Sequence, residues 1–484
     1  MVKTAKLDKM SRVPDVLFGF FVVFRRLQLV GTKRTFTEGK IFSPLISFAF
    51  PVLIALFLQA MYGAVDLWVV GKFGSAADVS AVATGGQVTY TVTAVIVGLS
   101  MGITVLIGQK IGEGREREAG QVIGSGICMF LLVSVALTAA MLLAAEPLAQ
   151  LMQAPEAAFS QTVDYLRICF AGTAFIVAYN VLGSVFRGIG DSKMPLIAVA
   201  IACVFNIIGD LIFVAVFHMG TRGAALATVM AQAFSVLLSI FIIRRRMLPV
   251  SLYKKDLRPE KKHIQKILSL GAPIAFQDLM VNISFLIIMS IVNSMGVIAS
   301  AGVGVAEKLC VFIMLVPSAY MQSMAVFVAQ NVGAKRLDRV GKALLYGILS
   351  SLVVGLFMAY LSFFHGSALS TLFVKENDTA VIMAASDYLR AYSIDCILTS
   401  FLFCFIGYFN GRGKTLFVMI QGIVGSFGVR IPVSYLMTLT DGASLFHIGL
   451  ATPASSAVQI LLCAGYFLLL KRRQKNFLLE NSVE

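Results

Sequence analysis

The sequence has little charge for its length. Only 13% of its 484 residues are Asp, Glu, Lys or Arg, whereas 58% are hydrophobic. Soluble domains are typically about one quarter charged, because a charged surface keeps them in water. This shortage excludes an ordinary water-soluble domain and places the chain in a lipid bilayer.

Residues that build metal, redox and catalytic sites are also scarce. The four histidines show no HExxH spacing, and the seven cysteines fall within apolar segments without a CxxC pair. No GxxxxGK[ST] motif occurs, so ion gradients are the expected energy source rather than ATP. An enzyme embedded in the membrane would need a nucleophile, base or metal group, and no such motif is visible. We therefore predict no enzyme, no catalytic residues and no cofactor besides a coupling ion.

Long apolar runs are what the chain does contain. Runs of about 20 residues match the thickness of the hydrocarbon core of a bilayer. They predict an all-α integral membrane protein with twelve transmembrane helices, near residues 46–70, 79–107, 121–145, 165–186, 194–217, 220–243, 266–295, 299–329, 341–365, 386–409, 415–438 and 446–470.

The net charge of +15 lies in short segments between these runs and indicates topology rather than a nucleic-acid partner. Every second connection is basic, which predicts that both termini are cytoplasmic. The apolar stretch Val16–Phe24 is too short to span and is followed by Arg25 and Arg26 instead of a cleavage site. The predicted regions are a cytoplasmic or interfacial segment, a first six-helix lobe, a cytoplasmic linker, a second six-helix lobe and a cytoplasmic tail, at 1–42, 43–243, 244–265, 266–470 and 471–484.

An internal repeat relates the two halves. The tetrapeptide Asp164-Tyr-Leu-Arg167 recurs as Asp387-Tyr-Leu-Arg390, and Gly108-Gln-Lys-Ile-Gly112 lies over Ala329-Gln-Asn-Val-Gly333, at offsets of 221 to 223 residues. Matches in the same order at nearly equal offsets indicate duplication of a whole unit, because shared lipid-driven composition does not fix glycine register. Six spans per unit give two lobes of the same orientation around a central cavity.

Several segments resemble the multidrug and toxic compound extrusion (MATE) family over nearly the whole chain after Phe42. They are Val65-Asp-Leu-Trp-Val-Val-Gly71, Phe186-Arg-Gly-Ile-Gly-Asp-Ser-Lys-Met-Pro195, Gly223-Ala-Ala-Leu-Ala-Thr228 and Gln330-Asn-Val-Gly-Ala334. The resemblance implies two six-helix lobes and export of cationic or amphiphilic compounds, driven by Na⁺ or H⁺ entry.

Two acidic residues within predicted spans indicate a cation site. Asp66 and Asp210 each cost about 2.5–3.5 kcal/mol in a span, so each needs a functional or structural reason. Asn206 and Asp210 lie four residues apart on one helix face. Oxygen ligands suit Na⁺, whereas two nearby carboxylates can share a proton, and the residues alone do not separate these alternatives. Asp66 alone has a simpler interpretation, a carboxylate near a helix end that reaches water.

The resemblance adds to this set of residues. In one branch of the family a first-lobe cation site matches Asp66, Asn206, Asp210 and Thr228, and Ala224 would contribute a backbone carbonyl. Tyr165 is a candidate hydrogen-bond partner of Asp66, with a tyrosine of the interfacial aromatic belt as the alternative.

The second half does not repeat these carboxylates, since Asp66 meets Ile288 in the repeat register. The charges within the predicted spans of the second half are Asp278, Glu307, Asp395 and Arg430. They are either part of a substrate cavity or members of structural ion pairs.

The sequence thus predicts a monomeric, multi-pass exporter of the cell membrane that works by rocking of its two lobes. A flippase for lipid-linked oligosaccharides is the main alternative. Twelve spans and few intramembrane arginines count against it.

Overall fold

The structure, a computed structural model, describes residues 36–245, 250, 253–374, 378–440 and 444–480. Most of the predicted N-terminal segment, part of the predicted linker and the last residues of the tail lie outside this set.

Twelve helical units of membrane-spanning length and hydropathy occur in the described residues, when one bent pair of helices is counted as a single span. The all-α membrane fold predicted from the apolar runs is confirmed. We number the units α1 to α12, and their bounds are Phe42–Phe73, Ala76–Gly112, Glu116–Leu151, Glu156–Ala171 with Thr173–Ile189, Lys193–Val216, Gly220–Ile243, Lys261–Asn293, Val297–Gly333, Leu337–Phe364, Thr379–Gly411, Thr415–Thr438 and Leu445–Gln474.

The fourth unit differs from its prediction. It begins at Glu156 rather than near residue 165, and its two parts meet at an angle of 53°. Gly172 lies at the bend, where any side chain would overlap Val229 of α6. The additional turns carry charged residues beyond the apolar window, and these form exposed ion pairs: Arg222 with Asp164, and Arg167 with Glu146, both at 2.7 Å. A hydropathy window misses such turns, because they extend past the hydrocarbon layer and are polar.

The two halves meet at the end of the molecule that carries the basic connections, which we call the basic face. Here Gln109 Nε2 at the end of α2 donates to the carbonyl oxygen of Gly411 at 3.3 Å. Gln330 Nε2 at the end of α8 donates to the carbonyl oxygen of Gly188 at 3.2 Å. Gln109 and Gly188 occupy the same repeat positions as Gln330 and Gly411, so each half makes the same contact to the other. We call these two reciprocal bonds the glutamine latch.

Two glycines allow this close approach. A Cβ atom at Gly112 would overlap the carbonyl oxygen of Gln330, and one at Gly333 would overlap that of Gln109. The apolar packing also crosses between the halves, because Phe36 and Phe48 pack with Phe327 of α8. The structure is therefore closed at the basic face.

Part of the connection between the halves is docked on α3. Arg117 forms two hydrogen bonds with the carboxylate of Asp256, at 2.5 and 2.6 Å, and its guanidinium stacks on Tyr253. Burial alone would raise the pKa of Asp256, but hydrogen bonds from the Tyr253 backbone and from Arg117 outweigh it and lower the pKa below its usual value.

Replacing Asp256 by asparagine is expected to lower the Tm of the purified protein at neutral pH, because Arg117 loses its charged partner. Because the pKa of Asp256 is lower in the folded protein, its ionised carboxylate stabilises the fold at any pH above 3.8, the usual pKa of aspartate. This stabilisation is lost as the pH falls through the lower pKa of the folded state. The Tm difference between wild type and variant should therefore be largest above pH 3.8 and shrink below it. Asp338→Asn, which breaks an exposed pair with Arg336, is the matched control. Equal Tm values for Asp256→Asn and wild type at neutral pH would contradict a stabilising role for the contact between Arg117 and Asp256.

Candidate cation-binding site

The predicted cation-site residues come together from three helices of the first half. Asp66 lies on α1, Asn206 and Asp210 lie on α5, and Thr228 lies on α6; all four are buried. Thr228 Oγ1 donates to Asp66 Oδ2 at 3.1 Å, and Asn206 Nδ2 donates to Thr228 Oγ1 at 3.4 Å. The carboxyl group of Asp66 also faces the carboxyl group of Asp210 and the amide group of Asn206.

Four acceptor oxygens in this cluster have no hydrogen-bond donor in the described residues: Asp66 Oδ1, Asn206 Oδ1 and both carboxylate oxygens of Asp210. Buried polar atoms are nearly always paired, and two adjacent buried carboxylates need a compensating positive charge. Unpaired oxygens from three side chains suit a hard cation such as Na⁺, and a proton shared between the carboxylates compensates the same charge.

The two peripheral candidates take different positions. Ala224 is buried on α6 one helical turn before Thr228. Its carbonyl oxygen therefore takes part in the regular backbone hydrogen bonding of the helix. Tyr165 is buried with its ring against Gly85 and its hydroxyl beside Cys169. The structure gives Asp66 a hydrogen bond from Thr228 and none from Tyr165.

The helix that carries Asp210 changes its winding directly after that residue. Residues Leu211–Val216 form a π-helical segment, and the chain then turns through His218 and Gly220, both with φ of 54°. The fifth span of the second half contains a similar segment, Val424–Arg430. Such insertions are frequent at functional sites. The buried Asp210 directly precedes the first of these segments, and the buried Arg430 is the last residue of the second.

Sequence reasoning missed the polar residues beneath the site. A small cavity there is lined by Asn206 and Thr228 together with Tyr62, Tyr179 and Gln232. Tyr62 precedes Asp66 by one turn of α1, and Gln232 follows Thr228 by one turn of α6, so both lie on the helix faces that carry the site. A polar residue four positions from Asp66 or Thr228 is the sequence signal that points to Tyr62 and Gln232.

Three of the four candidate charges of the second half, Glu307, Asp395 and Arg430, lie near the same buried side chains of Cys310 and Tyr388, whereas Asp278 lies apart from them. Asp278 on α7 lies at the boundary between the halves, where its carboxylate faces Gly98 and Tyr90 of α2. Arg430 is buried, donates to Ser284 at 3.2 Å and stacks on Phe285 at 4.5 Å.

Asp395 is buried beside Ser456 and attracts Arg430 electrostatically, without an ion pair among the described contacts. Glu307 is half-buried with one carboxylate oxygen that has no donor. At the position that matches Asp66, Ile288 lies in an apolar core, so the cation site has no copy here.

In the part of the chain that the structure describes, twelve units of membrane-spanning length, with the bent pair counted once, form two related halves, and one half holds a buried cluster of acceptor oxygens; this is a polytopic membrane protein with a buried polar site. The MatE family profile matches residues 51–212 and 273–436, once in each half, with the starts 222 residues apart. The chain belongs to the multidrug and toxic compound extrusion (MATE) family. Its members are transporters, so the chain is not an enzyme.

Two similar proteins carry names that fit this family. A probable multidrug resistance protein of Bacillus subtilis, YpnP, is 27% identical over 416 residues, which cover 86% of this chain and 92% of that protein. The multidrug export protein MepA of Staphylococcus saprophyticus is 24% identical over 410 residues, covering 83% and 88%.

Solved structures share the fold. The crystal structure of MATE in complex with MaL6 superposes with a TM-score of 0.86 at 20% identity, covering 92% of this chain and all of that one. An outward-facing multidrug resistance MATE family transporter of the MOP superfamily gives a TM-score of 0.85 at 21% identity, covering 91% and 98%.

Proposed function

We propose that this protein exports small cationic or amphiphilic organic molecules in exchange for entry of Na⁺ or H⁺. The single observation that supports this most strongly is the group of buried, unpaired acceptor oxygens of Asp66, Asn206 and Asp210. A transporter that carried its substrate without a coupling cation would not need to bury two adjacent carboxylates at a cost of several kcal/mol. The names of the relatives support export of several drugs as the substrate range.

Transport proceeds by alternating access in this proposal. The two six-helix lobes, 43–243 and 266–470, rock about their contact, and the glutamine latch opens and closes the path to the basic face. We place that face and both termini in the cytoplasm, because basic connections stay on that side. The protein acts as a monomer in the cell membrane.

Cation binding favours one of the two states. A ligand shifts such an equilibrium only by its differential affinity for the two conformations. Asp66 and Thr228 lie on different helices and are joined by one hydrogen bond, so a movement of α1 against α6 changes the number of oxygens available to a cation. The site therefore senses the relative position of these two helices.

Among the second-half charges, Asp278 is the best placed to contact substrate, because it lies at the boundary between the lobes. A carboxylate there that forms no ion pair within the described residues attracts positively charged groups. We assign Asp395 and Arg430 to mutual charge compensation within the second lobe, with Glu307 as an additional acidic group on α8.

A transport assay with purified protein in sealed vesicles tests the function. A fluorescent organic cation is followed while a Na⁺ gradient, a proton gradient or no gradient is imposed. We expect dye movement against its own gradient when one of the two cations flows in the opposite direction, and none without a gradient. Dye movement independent of both gradients, or translocation of a labelled lipid headgroup without dye transport, would overturn the proposal.

A further inference from the structure

Asp78, in the first turn of α2, joins two connections at the end of the molecule opposite the basic face. Its Oδ2 accepts hydrogen bonds from the backbone N–H and the hydroxyl of Ser75, at 2.9 and 2.7 Å. Its Oδ1 accepts from the backbone N–H and the hydroxyl of Thr221, at 3.1 and 2.6 Å. One carboxylate therefore holds the α1–α2 connection and the α5–α6 connection together.

The Ser75 bonds alone are an ordinary helix cap. Ser75 and Asp78 form a capping box at the start of α2, and this needs no partner outside the helix. The bonds to Thr221 are different, because they cross 143 residues of sequence and bind a second helix start. Charge-assisted hydrogen bonds of this kind are short and strong.

Both connections are shaped to admit this carboxylate. Gly220 has φ of +54°, and a Cβ atom there would lie 2.6 Å from Asp78 Oδ1. At Gly74 a Cβ atom would lie 2.8 Å from the carbonyl oxygen of Val70 and 3.2 Å from Asp78 Oδ2. A glycine on each side of Asp78 therefore permits a contact that any other residue would obstruct.

The helices joined in this way carry the cation site. Asp66 lies eight residues before Gly74 on α1, which is about 12 Å along the helix, and Thr228 lies seven residues after Thr221 on α6, about 10 Å. Between Asp210 and Thr221 the chain contains the π-helical segment and the turn with two positive φ values. No continuous α-helix therefore joins Asp210 to α6, and the bonds from Asp78 give the end of α6 opposite the basic face a second attachment.

We infer that Asp78 is a positioning residue for the cation site: by fixing the outer ends of α1 and α6, it holds Asp66 and Thr228 at hydrogen-bonding distance. This inference rests on the proposed function. A relative shift of the two helices by about 1 Å breaks the 3.1 Å bond between Thr228 and Asp66. Asp78 itself lies at the helix ends, and its carboxylate oxygens are used by Ser75 and Thr221 rather than by a cation.

Trp68 provides the readout for a test. It is the single tryptophan of the chain and lies two residues after Asp66 on α1, with Lys72 over its ring at 5.5 Å. The fluorescence of the purified, full-length protein is titrated with Na⁺ at fixed pH and with pH at fixed salt, in wild type, Asp78→Ala and Thr221→Val. Export at saturating cation is measured for the same proteins in vesicles.

We expect Asp78→Ala to raise the cation concentration for half-maximal response by about tenfold, the effect of losing one strong hydrogen-bonded link. Thr221→Val should shift the response in the same direction by less, because the backbone bond to Asp78 persists, and Thr221→Ser should restore it. The maximal export rate should change little. A loss of stability alone would lower that rate and the amount of protein without moving the half-maximal concentration.

Two controls isolate the contact. Ser75→Ala removes the side-chain cap of α2 and keeps the bonds to Thr221, and Asp164→Asn removes the exposed pair with Arg222 at the same connection. Asp164→Asn should titrate as wild type, and Ser75→Ala should shift the response by much less than Asp78→Ala, because the backbone bond from Ser75 and both bonds from Thr221 to Asp78 persist. A wild-type titration for Asp78→Ala, or for Thr221→Val if Asp78→Ala does not fold, would overturn the inference, as would a shift in Ser75→Ala equal to that in Asp78→Ala. If Asp66→Asn abolishes the response while Asp78→Ala keeps it, the positioning role alone is wrong and the proposed function stands.

Discussion

Asparagine in place of Asp66 or Asp210 is expected to abolish cation-driven export while the protein still inserts into the membrane. Each change removes one of two negative charges from a cluster in which three side chains present unpaired acceptor oxygens. Removal of one partner of a buried charge interaction costs roughly 3–5 kcal/mol, which corresponds to more than about a hundredfold in cation affinity. The measurement is dye export under an imposed Na⁺ or proton gradient, normalised to the amount of reconstituted protein.

The carboxylate of Asp164, which is only partly buried, supplies a matched control. It belongs to the same half and the same end of the molecule, but it pairs with Arg222 at the surface. Because exposed pairs contribute little, Asp164→Asn should export at nearly the wild-type rate. Undiminished gradient-driven export by both Asp66→Asn and Asp210→Asn would contradict the assignment of these residues to coupling.

A valine at Gly112 is expected to prevent closure of the basic face. The carbonyl oxygen of Gln330 occupies the place of any Cβ atom at this position, so the bulkier residue forces the ends of α2 and α8 apart. Overpacking of this kind costs about 1–3 kcal/mol, enough to shift a two-state equilibrium by about five- to 150-fold. Export should fall severely, because one of the two states of the proposed alternating-access cycle is disfavoured.

Chemical accessibility reports the same change directly. Ala329 is fully buried at this contact, with its Cβ facing Gly108. A cysteine at Ala329 should be protected from a membrane-impermeant maleimide in the wild-type background and labelled in Gly112→Val. Gly86→Ala is the control on the same helix, because a Cβ atom there meets no other atom within 4 Å. Wild-type export together with full protection of the cysteine in Gly112→Val would show that the latch does not govern closure.

The membrane fold was predictable because its signals are local. Apolar runs set the spans, and the recurrence of Asp164-Tyr-Leu-Arg167 at Asp387-Tyr-Leu-Arg390 indicated two related units. The bend at Gly172 was not predictable in the same way. The bend depends on contact with Val229, which lies more than 50 residues later in the chain. The chain contains 41 glycines, and nothing in the local sequence distinguishes Gly172 from the others.

The candidate site divides similarly. Asp66 and Asp210 were detectable because a carboxylate in an apolar run is costly wherever its partners are, and the structure brings them together. Their role as cation ligands stays a prediction. The bonds of Asp78 to Thr221 were not detectable, because Ser75-x-x-Asp78 has the pattern of a local helix cap and the second partner lies 143 residues away. The reciprocal latch of Gln109 and Gln330 becomes apparent only when the repeat register is combined with the geometry of the contacts.

Cation titration of the fluorescence of Trp68 tests the central claim most directly, because this residue lies two positions from Asp66 and is the single tryptophan of the chain. The purified wild-type protein should show a saturable change with Na⁺ or with pH. The variants Asp66→Asn and Asp210→Asn should show no saturable change over the same range. Identical titrations of all three proteins would contradict a coupling site at these residues.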